Sequence, residues 1–236
     1  MSIVPKALPF GLWVAVGLGA LTGAWSSPGA LEASASTTTP GSDWTVYGAD
    51  LSNTRSNAGG PTPQAVGQLH VAWQFSASTR RFTGTPIVAG GIVFAGNGGG
   101  TIFALAEASG KLLWHRSVNG AVNSSAAVAN GLVYFAVSKV GAPYVVAFNA
   151  TTGTTVWQTA LTTQQGSDTY ASPQVINGDI VVGTSASFDE TKSSTPTARG
   201  SVVRLNGTTG AVEWRTMTVA PGATGGGVWC TAAFDL

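Results

Sequence analysis

The sequence predicts an all-β chain built from four-stranded propeller blades, and three observations predict it. The first is composition. Gly supplies 32 of 236 residues, roughly twice average usage. Charged residues make up only 9% against 44% hydrophobic, with eight tryptophans. Such a chain has too much to bury to stay disordered, and its Gly, Ser and Thr favour short strands joined by tight turns. The second is a phased tryptophan. Gly110-Lys-Leu-Leu-Trp114, Gly153-Thr-Thr-Val-Trp157 and Gly210-Ala-Val-Glu-Trp214 share one pattern, and Trp73 falls one period earlier without the glycine. The steps between them are 41, 43 and 57 residues, the last being one period plus an insertion of about 14. The third is that three other elements keep the same phase, so a repeat of about 42 residues runs through the chain.

Each element of the unit has a local reason. A small-residue strand comes first: Gly84-Thr-Pro-Ile-Val88, Ser124-Ser-Ala-Ala-Val128 and Ala171-Ser-Pro-Gln-Val175. A glycine then opens a β-rich strand, at Gly91-Ile-Val-Phe94, Gly131-Leu-Val-Tyr134 and Gly178-Asp-Ile-Val181. The third strand is Ile102-Phe-Ala-Leu105, Val145-Val-Ala-Phe148 or Val202-Val-Arg-Leu205. A Ser-Gly or Thr-Gly turn supplies positive φ, and the fourth strand ends in the tryptophan. Four short antiparallel strands in 40-odd residues form a propeller blade. The large flat indole acts as a wedge between neighbouring blades. Residues 43–236 hold about three blades, and Trp229 to Leu236 reads as the first strand of another.

Ahead of the repeat, residues 1–35 read as a signal peptide. Lys6 precedes an uncharged run from Ala7 to Trp25, and Ala33-Ser34-Ala35 matches a small-residue cleavage site. The mature chain is then expected to begin near Ser36, in a periplasmic or secreted setting. An uncleaved membrane anchor is the competing reading, and only through that leader would the chain touch a membrane. Residues 36–42 are a Ser/Thr/Pro/Gly linker, and 43–236 form the propeller domain.

Composition also excludes functions. With 11 basic and 10 acidic residues there is no cationic surplus to neutralise phosphates, so no nucleic-acid partner is expected. One cysteine, Cys230, excludes an internal disulfide framework. His70 and His115 are too isolated for a zinc site. Gly96-Asn-Gly98-Gly-Gly100 joins two strands with no helix after it, so it reads as a hairpin turn.

Several segments resemble the pyrroloquinoline quinone (PQQ) repeat of quinoprotein dehydrogenases. They are Gly131-Leu-Val-Tyr134, Ala147-Phe-Asn-Ala-Thr-Thr-Gly153 with Trp157, and the leading run Asp43-Trp44-Thr-Val-Tyr47-Gly48-Ala-Asp50-Leu-Ser-Asn53-Thr54-Arg55. The resemblance covers about residues 43–236 and implies part of an eight-bladed ring. It implies PQQ and Ca²⁺ near the axis, oxidation of a small or polymeric alcohol, and a cytochrome c as electron acceptor. The Ser-Ser and Trp-Cys-Thr stretches are more similar to the polyvinyl-alcohol-dehydrogenase branch than to the methanol-oxidising one.

In the methanol-oxidising members a vicinal disulfide and a tryptophan floor clamp the cofactor. In phase these places fall on Ser124-Ser125 and on Thr231, so neither takes its usual form here. Trp229, two residues away, either stacks on the planar cofactor instead or is a core aromatic. For the metal, the resemblance points to Asp189 or Glu190, ahead of Arg199-Gly200; the bland reading is two solvated acids in a surface loop. The catalytic aspartate of the family falls outside the 236 residues. Two functions follow: a secreted PQQ-dependent alcohol dehydrogenase, or a cofactor-free propeller scaffold in the cell envelope. By itself the 236-residue stretch is expected to bind the cofactor weakly and to be inactive, because an axial site needs the whole ring.

Overall fold

The computed structural model describes residues 2–3, 43–57, 59–77, 81–186 and 195–234. They are almost entirely β. A single helical turn, α1 (Pro63–Val66), is present among them, capped by the Thr62 hydroxyl, which accepts from the Ala65 amide. No described helix is long and apolar enough to cross a membrane. The leader and linker lie outside the described residues except for β1 (Ser2–Ile3), which pairs with β2 (Phe75–Ser76).

Three antiparallel sheets follow. The first is β3 (Ile87–Ala89), β4 (Ile92–Gly96), β5 (Thr101–Ala106) and β6 (Leu112–Ser117), hydrogen-bonded in that order. The second is β7 (Ala127–Ala129), β8 (Leu132–Val137), β9 (Tyr144–Asn149) and β10 (Thr155–Ala160). In the third, β12 (Gln174–Ile176), β13 (Asp179–Ala186), β14 (Ser201–Leu205) and β15 (Val212–Met217) pair in turn. A short strand not anticipated from the sequence, β11 (Ser167–Asp168), pairs with the far end of β13. The segment between β13 and β14 holds the long insertion, including Asp189 and Glu190, which lie outside the described residues.

The repeat is kept at the level of register. In each sheet the last strand shifts by one residue just before its tryptophan, so Trp114 faces Ala104, Trp157 faces Ala147 and Trp214 faces Arg204. That bulge aims the ring out of its own sheet at the next one. Trp73 Nε1 donates to Glu107 O (2.6 Å), Trp114 Nε1 to Ala150 O (2.9 Å) and Trp157 Nε1 to Gly207 O (3.0 Å). The ring lies on the turn glycine of the next blade. Gly153 has φ +67°, and a Cβ there would fall 2.6 Å from Trp114; Gly210 has φ +74° and would meet Trp157 at 2.6 Å. Glycine is therefore required twice over, by φ and by the wedge.

Each junction carries its own core. Phe94, Trp114, Phe135 and Phe148 fill the gap between the first and second blades. Tyr134, Trp157, Val203 and Leu205 fill the next. Trp73, Phe75 and Phe82 pack on Phe103 and Leu105, so these three side chains cover the outer face of the first blade in the position a preceding blade would take.

Candidate functional site

The inner edge of the blades is where the expected site residues gather, and a repeated hydrogen bond builds it. The Thr85 amide donates to Ser125 Oγ (2.8 Å), the Ser125 amide to Ser172 Oγ (3.0 Å), and the Ser172 amide to Thr231 Oγ1 (3.3 Å). Each blade thus hands one amide to a hydroxyl of the next. Thr231 takes the fourth place in the ladder, so Trp229 to Phe234 stand at the start of a fourth unit, but they form no strand there, contrary to the expectation from sequence. A leading belt ties the same edge together. Trp44 pairs with Val88, Thr45 O accepts from the Val128 amide, and Leu51 O accepts from the Phe234 amide. Between them Gln174 Nε2 donates to Asn53 Oδ1 (3.1 Å) and Ala232 O (3.2 Å).

Ser124 and Ser125 are both buried. Ser124 Oγ donates to Ala136 O (3.1 Å), and Ser125 Oγ serves the ladder. Gly84 lies flat on the Ser124 carbonyl, so the backbone as well as the side chain is enclosed. Thr231 sits in the same ladder. Trp229 is different: it is 43% exposed, and one face stacks on Tyr170 at 5.4 Å between centroids and 16° between planes.

Around that stack the structure assembles residues that sequence reading missed. Asp168 is 2% exposed. Its Oδ2 accepts from Ser138 Oγ (2.9 Å) and Tyr170 Oη (3.2 Å), and its Oδ1 from the Thr169 amide (2.8 Å). Among the described residues no Lys or Arg pairs with it. Three donors meet the carboxylate in place of a counter-ion. The carboxylate in turn fixes the phenol whose ring supports Trp229.

The ladder defines which positions are equivalent, and one departure from equivalence matters. Ser138, just past the end of β8, and Ser185, near the end of β13, occupy the same place in successive blades. Ser138 finds the Asp168 carboxylate of the next blade. Counting on from Ser172 to Thr231, the place of Asp168 in the fourth unit falls on Gly227. Gly227 has no side chain, and a Cβ there would meet Ser185 Cβ at 2.7 Å and Trp229 Nε1 at 2.6 Å. Ser185 Oγ is accordingly buried with no hydrogen-bond partner among the described residues, a state disfavoured by about 1–3 kcal/mol unless something fills it. Gln174 Oε1 is a second such atom nearby in the sheet edge.

An exposed indole face beside an unsatisfied hydroxyl, in the place where the neighbouring junction seats a carboxylate, fits a flat ligand bearing carboxylates. PQQ is such a group. Among the described residues no cluster of His, Cys, Asp and Glu forms a metal site. The signal available in sequence was the break in phase: Asp168 and Tyr170 replace Ala121 and Asn123 of the preceding unit.

A propeller of four-stranded blades joined by one tryptophan wedge per repeat is the architecture of PQQ-type repeat proteins. The chain belongs to that repeat family: the family described as outer membrane protein assembly factor BamB matches residues 65–227. It is similar to the dehydrogenase subunit of the quinone alcohol dehydrogenase of Gluconobacter oxydans, 30% identical over 198 residues, which cover 75% of this chain and 25% of that protein. The polyvinylalcohol dehydrogenase of a Pseudomonas species is 27% identical over 220 residues, 81% of this chain and 34% of that one. Among solved structures, the quinohemoprotein alcohol dehydrogenase of Pseudomonas putida HK5 superposes with a TM-score of 0.64 at 27% identity, over 77% of this chain and 27% of that chain. The chain spans about a quarter to a third of the length of these relatives.

Proposed function

We propose that the chain forms part of a periplasmic or secreted quinoprotein dehydrogenase that oxidises an alcohol with PQQ and calcium and passes electrons to a cytochrome c. The observation that carries this reading is the buried, unpartnered Ser185 hydroxyl next to the half-exposed Trp229. The half-exposed indole of Trp229 would help carry the planar ring, and Ser185 Oγ, enclosed beneath Gly227, would donate to a cofactor carboxylate only where that backbone gives way. Asp168 acts at one remove, through the Tyr170 phenol and its stack on Trp229. PQQ, when bound, supplies a quinone that accepts the hydride of an alcohol carbon. Asp189 or Glu190 is proposed as a calcium ligand, since they follow Ala186, the last residue of β13, by three and four positions in sequence. Ser124, Ser125 and Thr231 would contribute backbone shape rather than free hydroxyls, because their oxygens are engaged in the ladder and in Ala136.

Fluorescence titration of the intact protein with PQQ, with and without Ca²⁺, tests this. Tryptophan quenching that requires Ca²⁺ supports the reading. Equal binding in both conditions removes the metal, and no binding in either leaves the cofactor-free scaffold. The enclosed Ser124-Ser125 pair is the feature that favours that second reading.

A further inference from the structure

The leading belt covers the inner edges of two blades and leaves the third open. β3, β7 and β12 are the innermost strands, and each turns onto its neighbour in the same register. Ala89 faces Ile92, Ala129 faces Leu132 and Ile176 faces Asp179. One residue earlier, Val88, Val128 and Val175 face Val93, Val133 and Ile180. Bonded and non-bonded pairs alternate along an antiparallel ladder, so the amides of these three valines point away from their own sheets.

The belt meets the first two. Trp44 and Val88 exchange both backbone bonds, at 2.7 and 3.1 Å, and the Val128 amide donates to the Thr45 carbonyl at 2.8 Å. Beyond Thr45 the belt folds into turns, with the Ala49 amide on Val46 O and the Asn53 amide on Asp50 O, both 3.1 Å. The Val175 amide meets no acceptor among the described residues. Where the belt turns, a cleft of about 520 Å³ opens between it and the edges of β7 and β12. Val46, Leu51, Val128 and Val175 give the cleft an apolar lining, and Asp50 is the one charged residue on it. An unpaired strand edge thus adjoins an apolar cleft, in direct continuation of a surface that already binds extended backbone.

We infer that the inner edge of β12 is a docking site for an extended peptide strand of a partner protein, free of acidic residues and placing an apolar side chain in the cleft. The two covered edges show what fits: one extended residue whose amide and carbonyl meet the valine, as Trp44 meets Val88. Main-chain bonds to Val175 supply the attachment and the cleft supplies selectivity. An acidic peptide is disfavoured by the Asp50 carboxylate.

A capped, fluorescently labelled peptide with the sequence of residues 44–47, titrated with the intact protein and followed by anisotropy, tests the site. Saturable binding is expected. Methylating the backbone nitrogen of its tryptophan removes the donor and should weaken binding about tenfold. Val175→Pro removes the protein's donor and should weaken the unmodified peptide similarly. The thermal midpoint should stay in place, because the ladder does not use that amide and proline is tolerated at a strand edge. If the midpoint falls, Ser52→Trp decides instead: Ser52 is exposed and lines the cleft, so an indole there fills it from outside the core. In hydrogen exchange, the Val175 amide of the free protein should exchange at least tenfold faster than that of Val88, and should slow when the peptide is added. Absence of peptide binding by the wild type, or unchanged affinity in Ser52→Trp, would overturn the inference. So would a Val175 amide already as protected as Val88. Protection independent of protein concentration would mean the chain fills the edge itself, and protection rising with concentration would make a second copy the occupant.

Discussion

Ser185 and Ser138 are the same residue type at the same place in successive blades, and their different surroundings mark the proposed site. One meets Asp168; the other lies against Gly227 and has no hydrogen-bond partner among the described residues. Removing an unsatisfied buried hydroxyl relieves its desolvation, so Ser185→Ala should raise stability by about 1 kcal/mol. The same change should weaken PQQ about tenfold, if that hydroxyl holds a cofactor carboxylate. Urea midpoints and the quenching titration read the two effects separately. A second residue-scale effect involves Glu107, whose carbonyl receives the Trp73 indole. Burial, with a smaller contribution from the Asp43 charge, holds its carboxyl above the ordinary value. A raised carboxyl favours the neutral form in the fold. Its stability contribution is complete below the unfolded value and is lost as pH rises through the folded one. Glu107→Gln cannot charge, so its urea midpoint should fall less than the wild type's between mildly acidic and neutral pH.

At the scale of the element, the wedge strands are equivalent in register but not in burial. Trp114 and Trp157 are 6% and 8% exposed, whereas Trp214 is 41% exposed because no described blade follows it. Trp157→Ala empties a packed junction and leaves Gly207 O and Gly210 uncovered, so it should cost about 3–5 kcal/mol. Trp214→Ala should cost far less, because most of what it removes is already in water. Chemical denaturation of the two variants compares them directly. The strands themselves were legible in the sequence, since alternating β-formers, turn glycines and the bulged tryptophan are local features. β11 was not. Ser167 and Asp168 carry no strand pattern, and only the tail of β13 gives them a partner.

Across the whole molecule, blades are joined in two ways: by wedges at the outside and by the hydroxyl ladder and the leading belt at the inner edge. Repeat proteins behave as nearest-neighbour stacks, in which blades can part company when few links cross the junctions. The belt runs past that limit, bonding Val88, Val128 and Phe234 from one segment. Deleting residues 43–55 should therefore broaden thermal unfolding or split it into separate steps. A single sharp transition in the deletion variant would show that the wedges suffice.

Repeat phase, the four main strands of each blade, wedge tryptophans and the family were written in the sequence, because each depends on residues within one period. The likeness to quinoprotein dehydrogenases was legible on the same ground, through resemblance. The candidate site was only partly so: Trp229 could be singled out, but Ser125 and Thr231 have their oxygens bound into an interblade ladder and Ser124 has its own on Ala136 O. Asp168, Tyr170 and Ser185 became visible only in three dimensions. The physical reason is that their meaning lies across a junction. Whether a buried hydroxyl is satisfied depends on a residue one blade away, and nothing local to Ser185 reveals that its counterpart is a glycine.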